Sequence, residues 1–231
     1  MLNKNHTKMA TSIKSVVMYR IRKNAIETRL ILRAYYLAKK RHRNQFRKSG
    51  APYIYHLTQV AYYLAKWSRG HEVVIAGLLH DTIEDTGYTK SEIRRQFGRR
   101  VADLVDGSSW IGKKDGPRDW PATYKKFSYY AQADPELVIL KAADYLSNLQ
   151  SYKDPRRKLY VSEKAAPRNK TFWIPFFRDA GLRKFARMLE TDTNNASKKK
   201  VPVTLYKYIT RNEMAKLRAA VLEMNGIEEL V

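Results

Sequence analysis

Apolar side chains recur every three or four residues through most of the chain, the period of helices with one buried face. Ile26, Leu30 and Leu37 set the pattern over 25–40, and Leu57, Val60, Ala61 and Leu64 set it over 56–66. Gly70 is expected to close the second of these helices. The run VVIAGLL at 73–79 has no polar side at all, which predicts a helix buried on every face. The tetrapeptide TKSE at 89–92 is a capping-box pattern, with Thr89 at the N-cap and Glu92 at N3. Gly98 stops that helix, and Val101 to Val105 supplies another short one. Asp134 followed by Pro135 reads as an N-cap with proline at the first helical position, opening a helix that runs to about Tyr152. A further apolar segment surrounds Trp173 to Leu189, and a last helix is expected over 205–223. No alternating strand pattern of any length and no internal repeat is present. The expected fold is all-α, a helical bundle.

Punctuation residues divide these helices. HRNQFRKSGAPYIYH holds Gly50 and Pro52 and must loop. Residues 107–121 are polar and rich in Gly, Pro and Trp, and predict a mobile connection. Residues 191–201, TDTNNASKKKV, read as a linker. The implied organisation is a basic N-terminal extension at 1–24, a core domain at 25–190, and a linker with a C-terminal helix at 191–231.

Composition narrows the class. The 231-residue chain is 44% hydrophobic, enough to bury a core and to exclude wholesale disorder. It has no cysteine, which removes disulfides, thiolate zinc sites and cysteine nucleophiles together. A reducing, cytoplasmic setting is expected. No apolar run approaches the roughly 18 residues needed to cross a bilayer. The N-terminus carries no acidic residue before Glu27 and bears Ser and Thr, as a transit peptide does, but reads as a basic helix or tail. Forty-five Lys and Arg against 22 Asp and Glu leave a formal charge of +23, so polyanions are attracted.

Metal-type ligands concentrate in four segments of a chain with five histidines: His56, His80-Asp81, Glu84-Asp85 and Asp144. His80 and Asp81 end the most apolar run, where titratable groups need compensation. A divalent cation supplies it, and two imidazoles with two carboxylates suit Mn, Fe, Co or Zn. Glu84 lies four residues after His80, and Asp85 four after Asp81, so a continuing helix would stack each pair one turn apart. Lys141, Asp144, Asn148 and Ser151 fall within an arc of roughly 80° at about 100° per residue. One helix edge thus offers an ammonium, a carboxylate, an amide and a hydroxyl, a set fitted to an ion and a sugar–phosphate.

The segments AYYLAKKRHRNQFRKSGAPYIYH, AGLLHDTIEDTGYTKSEIRRQFGRRVADLVDG and LKAADYLSNL closely resemble the hydrolase domain of RelA/SpoT alarmone enzymes. That domain is a branch of the HD-domain metal-dependent phosphohydrolases, and the resemblance covers roughly residues 30 to 152. RKSG, Y-x-x-H, H-D-x-x-E-D-T and a later Asp-x-x-x-Asn appear in order. The resemblance implies an HD-type helical bundle and a small alarmone hydrolase. It implies that His56, His80, Asp81 and Asp144 hold one ion, usually manganese, with Fe, Co or Zn as lesser options. Glu84 and Asp85 would position or deprotonate the attacking water. Arg47, Lys48 and Ser49 would contact the nucleotide, Asn148 the ribose, and Lys141 and Ser151 the substrate nearby. Tyr145 stands where the family commonly has a basic residue, and 112–121 also diverges.

The implied activity is 3′-pyrophosphohydrolysis of guanosine, or adenosine, tetra- or pentaphosphate. Relatives of this kind also act as antitoxins to a toxic small alarmone synthetase. The charge leaves open pyrophosphorylated tRNA as substrate, whose binding would weaken steeply with salt. Removal of the 2′ phosphate from NADPH is open as well, and so is a non-catalytic, RNA-associated role for an HD protein. His42 is taken as structural or surface, His6 and His71 as tail and turn residues, and Trp110 and Trp120 as core or lid. Oligomeric state is left open.

Overall fold

A computed structural model describes residues 24–47, 50–112, 116–149 and 160–231. The expectations for the N-terminal extension before Asn24, and for Lys48, Ser49, Ser151 and Tyr152, lie outside these residues. The chain divides into two compact units, one ending at Arg118 and one beginning at Asp119. The described residues are overwhelmingly helical, as the periodicity predicts.

The first unit is organised around one buried helix. α1 (Ala25–Arg41) opens where the Asn24 side chain accepts from the Ile26 N–H. Glu27 in its first turn and Lys39, Lys40 and Arg41 in its last suit the helix dipole. Its buried stripe is Thr28, Ile31, Ala34 and Ala38. α2 (Ile54–Lys66) buries His56 and Leu57 through to Ala65 along one side. α3 (His71–Leu79) buries every residue from Val73 to Leu79, and α1 and α2 both pack on it. Each fully buried Val, Leu or Ile side chain contributes about 1.5–3 kcal/mol.

Gly77 allows α2 and α3 to lie close. A Cβ at that position would stand 2.5 Å from Leu64 Cδ1 and 3.4 Å from Val60 Cγ1. After α3 the helix breaks at His80-Asp81 and resumes as α4 (Thr82–Thr86), which Gly87 closes in the left-handed conformation at φ 67°. α5 (Lys90–Phe97) begins with the predicted capping box: Thr89 and Glu92 exchange side chain-to-backbone hydrogen bonds. α6 (Arg99–Ser108) packs on α3 and α5.

Three expectations change here. Gly70 does not end α2; the helix stops at Lys66, Ser68 takes the left-handed conformation at φ 58°, and Gly70 becomes the N-cap of α3. The stretch from Gly107 is not loop throughout. Ser108 and Ser109 hydroxyls both donate to the Val105 carbonyl at 2.8 Å, which carries the helix past Gly107. Two-residue strands, β1 (Ile111–Gly112) and β2 (Arg118–Asp119), then pair as a short ribbon that no alternation announced.

In the second unit, α7 (Trp120–Ala133) is capped by Asp119, whose side chain accepts from the Ala122 N–H at 2.9 Å. α8 (Glu136–Leu149) starts where Asp134 Oδ1 accepts from the Glu136 N–H. Residues 160–179 are helical, with π-helical turns at Val161–Ala165 and Asn169–Trp173. Their aromatic side chains build the core: Tyr124 stacks on Phe172 at 4.1 Å, and Phe127 meets Trp173 edge-on. α9 (Arg183–Ala196) extends through much of the expected linker. Thr193 is fully buried there and accepts from Asn169 Nδ2 at 3.0 Å, so this polar stretch has a packed, bonded side. The last helix, α10 (Arg211–Leu222), starts later than expected because Thr210 and Glu213 form a second capping box.

Candidate metal centre

The break between α3 and α4 puts His80 and Asp81 at the end of a buried helix, and α2 lies beside them. His56 and His80 are 3% and 1% exposed, with ring centroids 5.1 Å apart. Both Nε2 atoms face one carboxylate oxygen: Asp81 Oδ2 is 3.5 Å from His56 Nε2 and 3.1 Å from His80 Nε2. Ligand atoms of the three residues all lie within 4.8 Å of one another. His80 Nδ1 is 2.9 Å from the Gly77 carbonyl. That contact assigns the ring proton to Nδ1 and leaves the Nε2 lone pair toward Asp81.

Electrostatics fit an anionic ligand. Burial pushes the Asp81 carboxyl upward, but the charge His80 would carry if protonated, and the hydrogen bonds the protonated rings of His56 and His80 would donate, outweigh it. The carboxyl is held well below the usual carboxylate range. Neutral rings with Nε2 lone pairs turned to that oxygen would instead need a proton or a cation among them. This donor set, two imidazoles and a carboxylate, fits a divalent ion.

The acidic pair follows on α4. Glu84 Oε1 accepts from the backbone N–H of Trp110 at 2.6 Å, and the Asp85 N–H donates to the Asp81 carbonyl at 2.9 Å. The Gly50 N–H donates to the Arg47 carbonyl at 2.8 Å, and the Arg47 guanidinium lies 5.7 Å from the Tyr53 ring centre. Two positions to which sequence reasoning assigns no role in the site, Tyr53 of the Y-x-x-H motif and His42, also touch this region. Tyr53 donates its hydroxyl to Asp81 Oδ2 at 2.7 Å. His42 is 2% exposed, not a surface residue, and stacks on Tyr53 at 5.1 Å and 12°. The signal for Tyr53 is its place in Y-x-x-H, one helical turn before His56.

In the second unit, α8 forms the expected polar edge. Lys141 Nζ is 3.1 Å from Asp144 Oδ2, and Asn148 Nδ2 donates to Asp144 Oδ1 at 2.7 Å. Asp144 is 7% exposed. Lys141 Nζ also lies 5.5 Å from the Trp173 ring centre. Tyr145, which stands in place of a basic residue, packs against Trp173 and Phe177. Trp110 takes Arg118 over its ring at 4.3 Å, and Trp120 takes Arg168 at 4.1 Å.

The family model for the HD domain matches residues 34–176, more than half of the chain. The chain belongs to the HD-domain family. Among characterised relatives, this HD protein is 42% identical over 136 residues to a guanosine-3′,5′-bis(diphosphate) 3′-pyrophosphohydrolase of Aquifex aeolicus, over 58% of this chain and 20% of that one. It is 36% identical over 140 residues to the enzyme of that name from Spiroplasma citri, over 58% and 19%. It is 37% identical over 163 residues to a GTP pyrophosphokinase of Streptomyces coelicolor, over 70% and 19%. The chain therefore spans about a fifth of the length of these relatives. A solved metazoan orthologue of SpoT, described as hydrolysing ppGpp, aligns with TM-score 0.48 at 19% identity over 84% of this chain and 93% of that one. No described helix is long and apolar enough to cross a membrane.

Proposed function

We propose that this HD protein is a metal-dependent 3′-pyrophosphohydrolase of guanosine tetra- and pentaphosphate. The observation that carries the proposal is the convergence of His56 Nε2 and His80 Nε2 on Asp81 Oδ2. The names of the relatives that share this segment support the substrate. His56, His80, Asp81 and Asp144 would hold one ion, with Mn²⁺ the first choice. When bound, such an ion lowers the pKa of water from 15.7 toward about 7 and draws charge from a phosphoryl oxygen.

The chain's own groups do the rest. Glu84, oriented by the Trp110 N–H, and Asp85 beside it take the proton from the attacking water. Water oxygen bonds to the phosphorus attached to the ribose 3′ oxygen, and the bond from that phosphorus to the 3′ oxygen breaks. The 3′ oxygen takes up a proton, and pyrophosphate and the 5′-phosphorylated nucleoside leave. Arg47, Lys48 and Ser49 would grip the nucleotide. Lys141, Asn148 and Ser151 would meet phosphate and ribose, with cationic side chains offsetting the charge that develops.

The test is a substrate panel on the purified chain with Mn²⁺: ppGpp, pppGpp, ppApp, NADPH and pyrophosphorylated tRNA, with released phosphates identified by ³¹P NMR. Pyrophosphate from ppGpp, lost in His80→Ala, supports the proposal; an inert wild-type chain overturns it. A second reading, pyrophosphorylated tRNA as substrate, is favoured by the +23 charge. Arg29, Lys39, Lys40 and Arg43 are exposed on or just after α1 and form no ion pair among the described residues. Turnover of tRNA that falls steeply with salt, beside weak turnover of ppGpp, would select it.

A further inference from the structure

We propose that Tyr53 is a positioning residue: its hydroxyl fixes the Asp81 carboxylate for the ion, on a platform made by His42 and Gln45. The inference rests on the metal centre proposed above and assigns it a supporting layer.

Asp81 Oδ2 is the oxygen that both imidazoles face, and it is also the oxygen that accepts from Tyr53 Oη at 2.7 Å. One hydrogen bond therefore selects which carboxylate oxygen points at the histidines. A carboxylate ligand held this way loses fewer rotamers on binding an ion, because the side chain is already in place.

The Tyr53 ring is itself held. His42 lies nearly parallel to it, centroids 5.1 Å apart. His42 Nδ1 is 2.7 Å from Gln45 Oε1, and Gln45 Nε2 donates to the Asp85 carbonyl at 2.9 Å. The Gln45 amide is oriented by that second bond. Its oxygen therefore receives the His42 Nδ1 proton. His42 Nε2 is buried without a hydrogen-bond partner among the described residues. A fold that tolerates an unsatisfied nitrogen retains the ring for another reason. Here that reason is the flat face it offers to Tyr53.

The loop makes further ties. The Tyr53 N–H donates to the Gln45 carbonyl, and Phe46 bridges to Pro52. Arg47, assigned to the nucleotide, sits over the same Tyr53 ring. Tyr53 thus joins the substrate loop to a metal ligand.

The test is Mn²⁺ binding to the full chain, followed by the electron paramagnetic resonance of free Mn²⁺, with ppGpp kinetics at saturating Mn²⁺. Tyr53→Phe should weaken Mn²⁺ affinity about 10–100-fold, the range found for lost outer-shell partners. Its melting temperature without metal should stay near wild type, and KM should change less than twofold at saturating Mn²⁺. His42→Phe, which keeps the stack, should retain affinity within about threefold, while His42→Ala should lose it toward the Tyr53→Phe level. Wild-type affinity in a folded Tyr53→Phe protein overturns the proposal and leaves the metal centre standing. Failure of the wild-type chain to bind Mn²⁺, or equal binding by His80→Ala, overturns both.

Discussion

The backbone N–H of Trp110 donates to Glu84 Oε1 at 2.6 Å, so one oxygen of the proposed proton acceptor is held by the segment that follows α6. Glu84→Gln keeps an acceptor for Trp110 but removes the basic oxygen. It should lower kcat about 10²–10⁴-fold with Mn²⁺ content unchanged. Steady-state kinetics beside elemental analysis of the same sample reads both.

Removing a ligand should act differently from removing the base. His80→Ala should lose bound Mn²⁺ and turnover together. Asp144→Ala tests the fourth ligand proposed for the ion and should behave the same way. In wild type, Mn²⁺ at about a hundredfold its Kd should stabilise by about 2.7 kcal/mol, several degrees in Tm for a chain of this size. Thermal melts with and without the ion should show this shift in wild type and none in either variant.

Burial holds the His42 imidazole below its ordinary value, against upward pulls from the Gln45 hydrogen bond and the charge of Asp81. The unfolded chain thus binds that proton more readily than the folded one. The associated stability is complete above about pH 6.5 and is lost as pH falls through the lowered value. Tm measured from about pH 7 to 5 should decline more steeply in wild type than in His42→Phe.

The capping box on α5 gives a second pH effect of known sign. Hydrogen bonds from the Thr89 hydroxyl and backbone lower the Glu92 carboxyl below its usual value. Its contribution is present above the ordinary Glu range and disappears as pH falls through the depressed value. Thr89→Ala should destabilise the protein by about 1 kcal/mol at neutral pH. Denaturant titration measures that loss, and an NMR titration of Glu92 should show its midpoint move back up in the variant.

Helices and first contacts were legible because they follow local rules. The apolar run 73–79 became a fully buried helix and the Thr89 cap formed as spaced, whereas the break at His80-Asp81 was not announced, the spacing of Glu84 and Asp85 being read on a continuing helix. His56, His80 and Asp81 were legible as an ordered ligand set and come together in the first unit. Lys141, Asp144 and Asn148 share an edge of α8, as their spacing predicts. What the sequence hid depends on contacts between distant positions or on side chains bonding back to the main chain. Tyr53 reaches Asp81 across 28 residues, and Gln45 reaches Asp85 across 40. Ser108 and Ser109 prolong a helix through a stretch whose composition favours a loop, and Thr193 does the same by pairing with Asn169. No periodicity encodes such bonds.

Gly77 bears on the centre from both sides. Its missing side chain lets the helix that carries His56 nestle against the helix that delivers His80, and its carbonyl steadies the His80 ring. The gauge of the two-histidine jaw is therefore machined by an absent methyl group. Put that methyl back, and Leu64 Cδ1, the far end of a buried side chain, must swing aside for the two helices to keep their spacing.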